Sequence, residues 1–289
     1  MPGTGRPRVA FLGPAGTHTE EALRASVRGE VEEVPAIDVH EAVLSVREGR
    51  ADACVVPIEN SLEGSVTTTV DLLADDAGGI RIAAEVVRPI RQALIARPGV
   101  ALEEITRVLS HPQGLAQCAR TLRERLPQAA QAVASSTAEA VRLVAAEDQP
   151  WAALASPLAA GEYGCEVVAD GFEDEPGNVT RFVWLAPTGS EAAGPWPDGA
   201  PDKTSIVFWG FNDESPGALV AVLSELADRS INLTKIESRP RRFALGHYMF
   251  FADLEGATGS AVVDDALRAL GGRVETLRIL GSYPSGATN

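Results

Sequence analysis

Apolar positions along the 289-residue chain keep two rhythms. Short β-rich runs recur at Arg8–Leu12 (RVAFL), Asp52–Val56 (DACVV), Arg107–Ser110 (RVLS), Gln131–Ala134 (QAVA) and Trp151–Leu154 (WAAL). Between them the spacing turns helical. Leu115, Cys118, Ala119, Leu122 and Leu126 stand at offsets 0, 3, 4, 7 and 11, which gathers them on one helix face. Strands alternating with helices predict parallel or mixed α/β sheets for roughly the first 185 residues.

The rhythm breaks at Ala186–Asp202 (APTGSEAAGPWPDGAPD), where Pro, Gly and small residues crowd together. This composition predicts a linker, centred on residues 188–202, that little core should cross. The last block then reads as strand Lys203–Phe211, helix Pro216–Arg229, strands Ile231–Glu237 and Leu245–Leu254, helix Ser260–Leu270 and strand Val274–Ser282. That βαββαβ order is ferredoxin-like.

Composition narrows the partners. Apolar residues make up 45% of the chain, enough to bury a core, and the length suits two domains. A net charge of −15 argues against nucleic acid and anionic membrane. It leaves room for a small anionic substrate, which a few local positive groups and helix N-termini can hold. Three scattered cysteines and four histidines without ligand spacing argue against a disulfide framework or a zinc site. No apolar segment has signal or membrane-spanning length, so a cytoplasmic setting is expected.

In open α/β sheets, ligands bind beyond the carboxyl ends of strands. Four strand ends here carry polar runs: Gly13–Glu20 (GPAGTHTE), Pro57–Ser61 (PIENS), His111–Gln113 (HPQ) and Ser135–Thr137 (SST). Each opens or precedes a helix, whose exposed amides and positive dipole end suit a carboxylate. Read singly, Ser136–Thr137 and Thr19–Glu20 are helix caps and His111 a structural hydrogen-bonder. Asn60–Ser61, behind a Pro–Ile–Glu turn, brings amide, hydroxyl and carboxylate to one strand end and reads as a site. The run Asn178–Leu185 (NVTRFVWL) reads as an edge strand with Arg181 solvated.

Taken in order, GPAGT, VPIENSLEGSV, SHPQGLAQC, NVTRF and INLTKIESRP resemble the prephenate dehydratases over nearly the whole chain. The resemblance implies a two-lobed, periplasmic-binding-protein-like catalytic domain over residues 1–187. Its lobes would be roughly 1–88 plus 170–187, and 89–169, with the TRF strand crossing back to the first. It implies decarboxylating dehydration of prephenate to phenylpyruvate without metal or organic cofactor. Thr180 would be the catalytic residue, its hydroxyl donating to the departing oxygen. Thr17, Asn60, Ser61, Ser136, Thr137, Arg181 and Phe182 would bind or shape substrate, with His111 and Gln113 supporting the second lobe.

Residues 203–289 resemble an ACT regulatory domain. By that resemblance Gly217, Ala218, Leu219, Asn232, Leu233, Glu237 and Ser238 would bind phenylalanine between two such domains, implying a homo-dimer or tetramer. Without it, GAL simply starts a helix and SRP ends a strand. Two positions depart from the family pattern. His18 stands where an apolar ring is usual after Gly16-Thr17, and Arg91 where many relatives carry histidine. An arogenate dehydratase and a non-catalytic solute-sensing protein of the same fold are the competing readings. Binding proteins of that fold need no Thr-Arg pair on the returning strand.

Overall fold

The computed structural model describes residues 5–75, 78–189, 194–211, 215–241 and 247–286. The first lobe runs β1 (Arg8–Leu12), α1 (His18–Ser26), β2 (Glu32–Ala36), α2 (Val39–Arg47), β3 (Ala53–Asn60), β4 (Gly64–Ser65), α3 (Thr67–Ala74) and β5 (Ile80–Pro89). The second continues with β6 (Ala93–Ala96), β7 (Arg107–Ser110), α4 (Pro112–Gln117), α5 (Ala119–Arg125), β8 (Ala130–Val133), α6 (Thr137–Ala146), β9 (Trp151–Ala155), α7 (Leu158–Glu162) and β10 (Glu166–Ala169). The chain then returns as β11 (Val179–Pro187), which inserts antiparallel between β3 and β5. The first sheet is ordered β2-β1-β3-β11-β5 and the second β10-β6-β9-β7-β8. Each is a mixed sheet, with parallel pairs such as β1–β3 and β7–β9. Among the described residues no helix is long and apolar enough to cross a membrane.

Several elements differ from the sequence expectation for physical reasons. The strand begun at Cys54 does not turn at Pro57 but runs on to Asn60, because β11 pairs with it as far as Thr180↔Asn60. Pro57 is tolerated at a register shift in that ladder. The apolar helical stripe from Leu115 to Leu126 is split at Cys118 into α4 and α5, yet all its large members share one core cluster. β2, β5, β6 and β10 were not anticipated. The NVTRF strand is internal to its sheet, not an edge.

The C-terminal block forms β12 (Lys203–Trp209), α8 (Ala218–Ala227), β13 (Leu233–Pro240), β14 (Tyr248–Glu255), α9 (Ala261–Gly271) and β15 (Thr276–Tyr283). Its antiparallel sheet, β13-β14-β12-β15, is ferredoxin-like, with both helices on one face. Residues 245 and 246, expected to begin the third strand, lie outside the described residues.

The other face of that sheet is not free. Val207, Trp209, Phe251, Leu280 and Tyr283 join Ile58, Val70, Leu73 and Ile82 of the first lobe in one buried cluster. β15 lies so close to β5 that a Cβ on Gly281 would sit 2.3 Å from the Ile82 carbonyl oxygen. The linker also packs, with the Arg28 amide donating to the Pro195 carbonyl and Trp196 lying against the first lobe's other core. A substantial apolar core therefore does cross between the blocks. Pro and Gly set the linker's backbone, but the apolar faces on either side decide what it joins.

Candidate active site

A cleft of about 690 Å³ opens between the two α/β lobes. Four helices begin on its rim. Thr17 caps α1, its hydroxyl accepting from the Glu20 amide (3.4 Å) and donating to the Leu12 carbonyl (2.9 Å). Ser136 caps α6 by accepting from the Glu139 amide at 3.0 Å. His111 Nδ1 accepts from the Gln113 amide (3.3 Å) at the start of α4. α3 begins at Thr67 without a side-chain cap. Gly16, in the loop before α1, has φ +84°, and a Cβ there would lie 2.9 Å from Ala159 of the second lobe. Only glycine meets both demands.

Thr180 and Phe182 line this cleft from β11, with Thr180 7% exposed. Asn60 holds Thr180 in place. Its Nδ2 donates to Thr180 Oγ1 (2.9 Å) and Asn178 Oδ1 (2.7 Å), and its Oδ1 accepts from the Leu62 and Glu63 amides (3.0 and 3.2 Å). Because Oγ1 is already an acceptor for Asn60, the Thr180 O–H is left to donate into the cleft. Thr17, Asn60, Ser136, Thr137, Thr180 and Phe182 thus come together across 165 residues of sequence, as do His111 and Gln113.

Ser61 does not line the cleft. Its hydroxyl donates to Asn178 Oδ1 (3.3 Å) and accepts from the Val179 amide (3.0 Å), fastening the start of β11. Arg181 corrects the sequence reading more sharply. Strand alternation puts it on the face opposite Thr180, where it is neither solvated nor at the cleft. Its Nη1 donates to Asp253 (2.6 Å) of the C-terminal sheet and to Glu85 (3.2 Å). Lys203 pairs with the same Glu85. Burial alone would favour loss of the guanidinium proton, but Asp253 and Glu85 outweigh it and raise its pKa above the ordinary value.

Sequence reasoning missed Thr67, Thr68 and Gln92, while His18, singled out there as a departure from the family pattern, does line the cleft. Gln92 is 2% exposed and its Oε1 has no hydrogen-bond partner. It stands beside Arg91, whose charge drew attention although that side chain is exposed. The available signal was a polar residue immediately ahead of the all-apolar run Ala93–Ala96.

In the C-terminal domain, Gly217, Ala218 and Leu219 line a second cavity of about 270 Å³ with Phe211, Tyr248 and Phe250. The other expected effector residues are not there. Asn232 donates to Glu255 (3.1 Å), Leu233 packs into the domain core and Ser238 is exposed. Glu237 points to the first lobe, where it and Lys235 hold the Ser65 hydroxyl.

Two lobes closing on a hydroxyl-lined cleft, with a ferredoxin-like domain docked behind, make the architecture of a cleft enzyme with an accessory regulatory module. The family model for prephenate dehydratase matches residues 9–190, and that for the ACT domain matches residues 205–272. A prephenate dehydratase from Mycolicibacterium vanbaalenii is 41% identical, over 97% of this chain and 92% of that protein. The structure of an Arthrobacter aurescens prephenate dehydratase in complex with L-Phe superposes with TM-score 0.84. It is 40% identical and covers 96% of this chain and 89% of that one. GqqA, described as a novel type of quorum quenching acylase, has TM-score 0.83 at 29% identity, covering 96% of this chain and 98% of that chain. The chain belongs to the prephenate dehydratase family and carries its ACT domain.

Proposed function

We propose that this protein converts prephenate to phenylpyruvate in the cytoplasm, under control of phenylalanine bound by the ACT domain. The observation that carries the reading is the Asn60–Thr180 hydrogen bond, which leaves one oriented hydroxyl facing the cleft. Prephenate loses CO₂ from its ring carboxylate. The released electron pair moves through the ring and expels the ring hydroxyl, which takes a proton and leaves as water. Aromatisation drives the step. A threonine hydroxyl is a weak acid, but a positioned donor at the departing oxygen stabilises charge where it develops. The N-termini of α1, α3 and α6 offer amides and positive dipole ends to the two carboxylates. Gln92 Oε1, buried and unpaired, is available to accept from a substrate hydroxyl.

For the effector, the cavity at Gly217 is one half of the site and the start of β13 on a second copy is the other. Within one copy, β13 pairs Pro240 with Tyr248 at the cavity's end of the sheet, and Leu233 lies seven residues further along, roughly 23 Å away. An antiparallel side-by-side pairing of two domains brings Asn232 and Leu233 of one copy to Gly217 of the other. The edge position of β13 and the exposed Val220, Ile236 and Tyr248 support such a pairing. The test is phenylpyruvate absorbance on mixing the protein with prephenate, with arogenate in parallel and a phenylalanine titration of the initial rate. No product from prephenate by the wild type, or product from Thr180→Ala at the wild-type rate, sinks the reading.

A further inference from the structure

Among the described residues lining the cleft there is no lysine and no arginine. Its charged side chains there are the carboxylates Glu63 and Glu139, which repel an anion. The two groups able to bring a positive charge are His18 and His111. Their hydrogen bonds differ in kind. His111 Nδ1 accepts an N–H from the Gln113 backbone, so that nitrogen presents a lone pair. His18 Nδ1 faces a carboxylate oxygen of Glu21 at 3.0 Å, so that nitrogen holds the proton. His18 Nε2 is fully buried and has no hydrogen-bond partner within the protein. A buried polar nitrogen without a partner on a cleft wall calls for a ligand atom.

We propose that His18 is a substrate-binding residue of this enzyme, its imidazolium donating through Nδ1 to Glu21 and through Nε2 to one carboxylate of the substrate. The inference rests on the dehydratase reading, which supplies a dianionic substrate. Glu21 is suited to the partnership. Burial raises its pKa, but the His18 ring, the Ser156 hydroxyl and the Leu158 amide outweigh burial and keep it below the ordinary carboxylate value. The last two belong to the second lobe, so the carboxylate that orients His18 is itself held from across the cleft. The other titratable groups nearby are already engaged. Glu20 accepts from the Gly16 amide and pairs with Arg24, and Tyr163 donates to the Ala15 carbonyl. Glu139 on α6 pairs with Arg142.

Binding through an imidazolium couples affinity to pH, because the substrate selects the protonated ring. The experiment is steady-state kinetics of the full-length wild type, His18→Gln and His18→Phe from pH 6 to 9, with an enzyme-free blank at each pH. In the wild type, KM should be higher at pH 9 than at pH 6, while kcat changes little. His18→Phe, which keeps an aromatic ring, should raise KM at pH 6 roughly 10- to 100-fold, the worth of a hydrogen bond to a charged group. His18→Gln, which keeps a neutral donor, should fall between and show a flat KM profile. Thermal unfolding of each variant separates a lost contact from a lost fold. A wild-type KM flat across this range, or variants whose KM at pH 6 equals the wild type's, overturns the role of His18 while leaving the dehydratase intact. A wild type inactive on prephenate overturns the dehydratase reading, and this inference with it.

Discussion

Replacing Arg181 by methionine removes a guanidinium while keeping a long apolar stem in its slot. The Arg181 side chain is 12% exposed, Glu85 1% and Asp253 8%, so solvent screens this cluster little. After the change, Glu85 retains Lys203 and the Gly286 amide, while Asp253 retains only the Ser205 hydroxyl among these partners. Breaking a buried pair from one side costs about 3–5 kcal/mol, because an uncompensated charge stays behind. For a chain of this size that is a fall of roughly 6–20 °C in Tm. Asp253→Asn should cost less once Arg181 is already Met than it does alone, since the pair no longer exists to be broken. The assay is thermal unfolding by circular dichroism on wild type, both single variants and the double variant, beside kcat and KM for prephenate. Activity should fall modestly, through the backbone shared with Thr180, without a selective rise in KM. An unchanged Tm together with a large rise in KM would mean that Arg181 reaches the substrate, and the assignment made from β11's two faces would be wrong.

Thr180→Ala should lower kcat by about 10²–10³ while prephenate still binds. Asn178→Ala, which removes one neutral hydrogen bond from the Asn60 amide, should cost only about 5- to 10-fold, and an equal loss in both variants would contradict a purely supporting role for Asn178. A chain ending at Thr188 exposes Ile58, Val70, Leu73 and Ile82 and strips Arg181 of Asp253. Size-exclusion chromatography should show aggregation, or melting should show a clear fall in Tm, whereas a monodisperse truncation of wild-type stability would mean the shared cluster contributes little. All three cysteines are buried. Burial pushes the Cys118 thiol up to about 12, with Asp174 and Glu173 adding to it, and raises Cys54 and Cys165 as well. Ellman's reagent at pH 8 should therefore label none within minutes in the native protein and all three in denaturant.

Local rules decided much of this molecule in advance. The runs RVAFL, RVLS, QAVA and WAAL became strands, and GPAGT, HPQ and SST met at one cleft, because turns, caps and strand ends are specified by neighbours in sequence. The βαββαβ order followed from the same periodicity. Tertiary contact decided the rest. The alternation of Thr180 and Arg181 is written in the chain, but which face meets the cleft and which meets Asp253 depends on a strand 72 residues away. Asn60 is by type an ordinary helix-capping residue, yet Asn178 and Thr180, brought 118 and 120 residues back to it, turn it into a clamp on the Thr180 hydroxyl. Glu237 belongs to a motif associated with effector binding, and the docking of β13 on Ser65 aims it at the catalytic lobe instead. Pro- and Gly-rich sequence between two blocks marks where regular helix and strand stop. Whether the blocks share a core is set by the complementarity of two apolar faces, a property of surfaces that exist only once each block has folded.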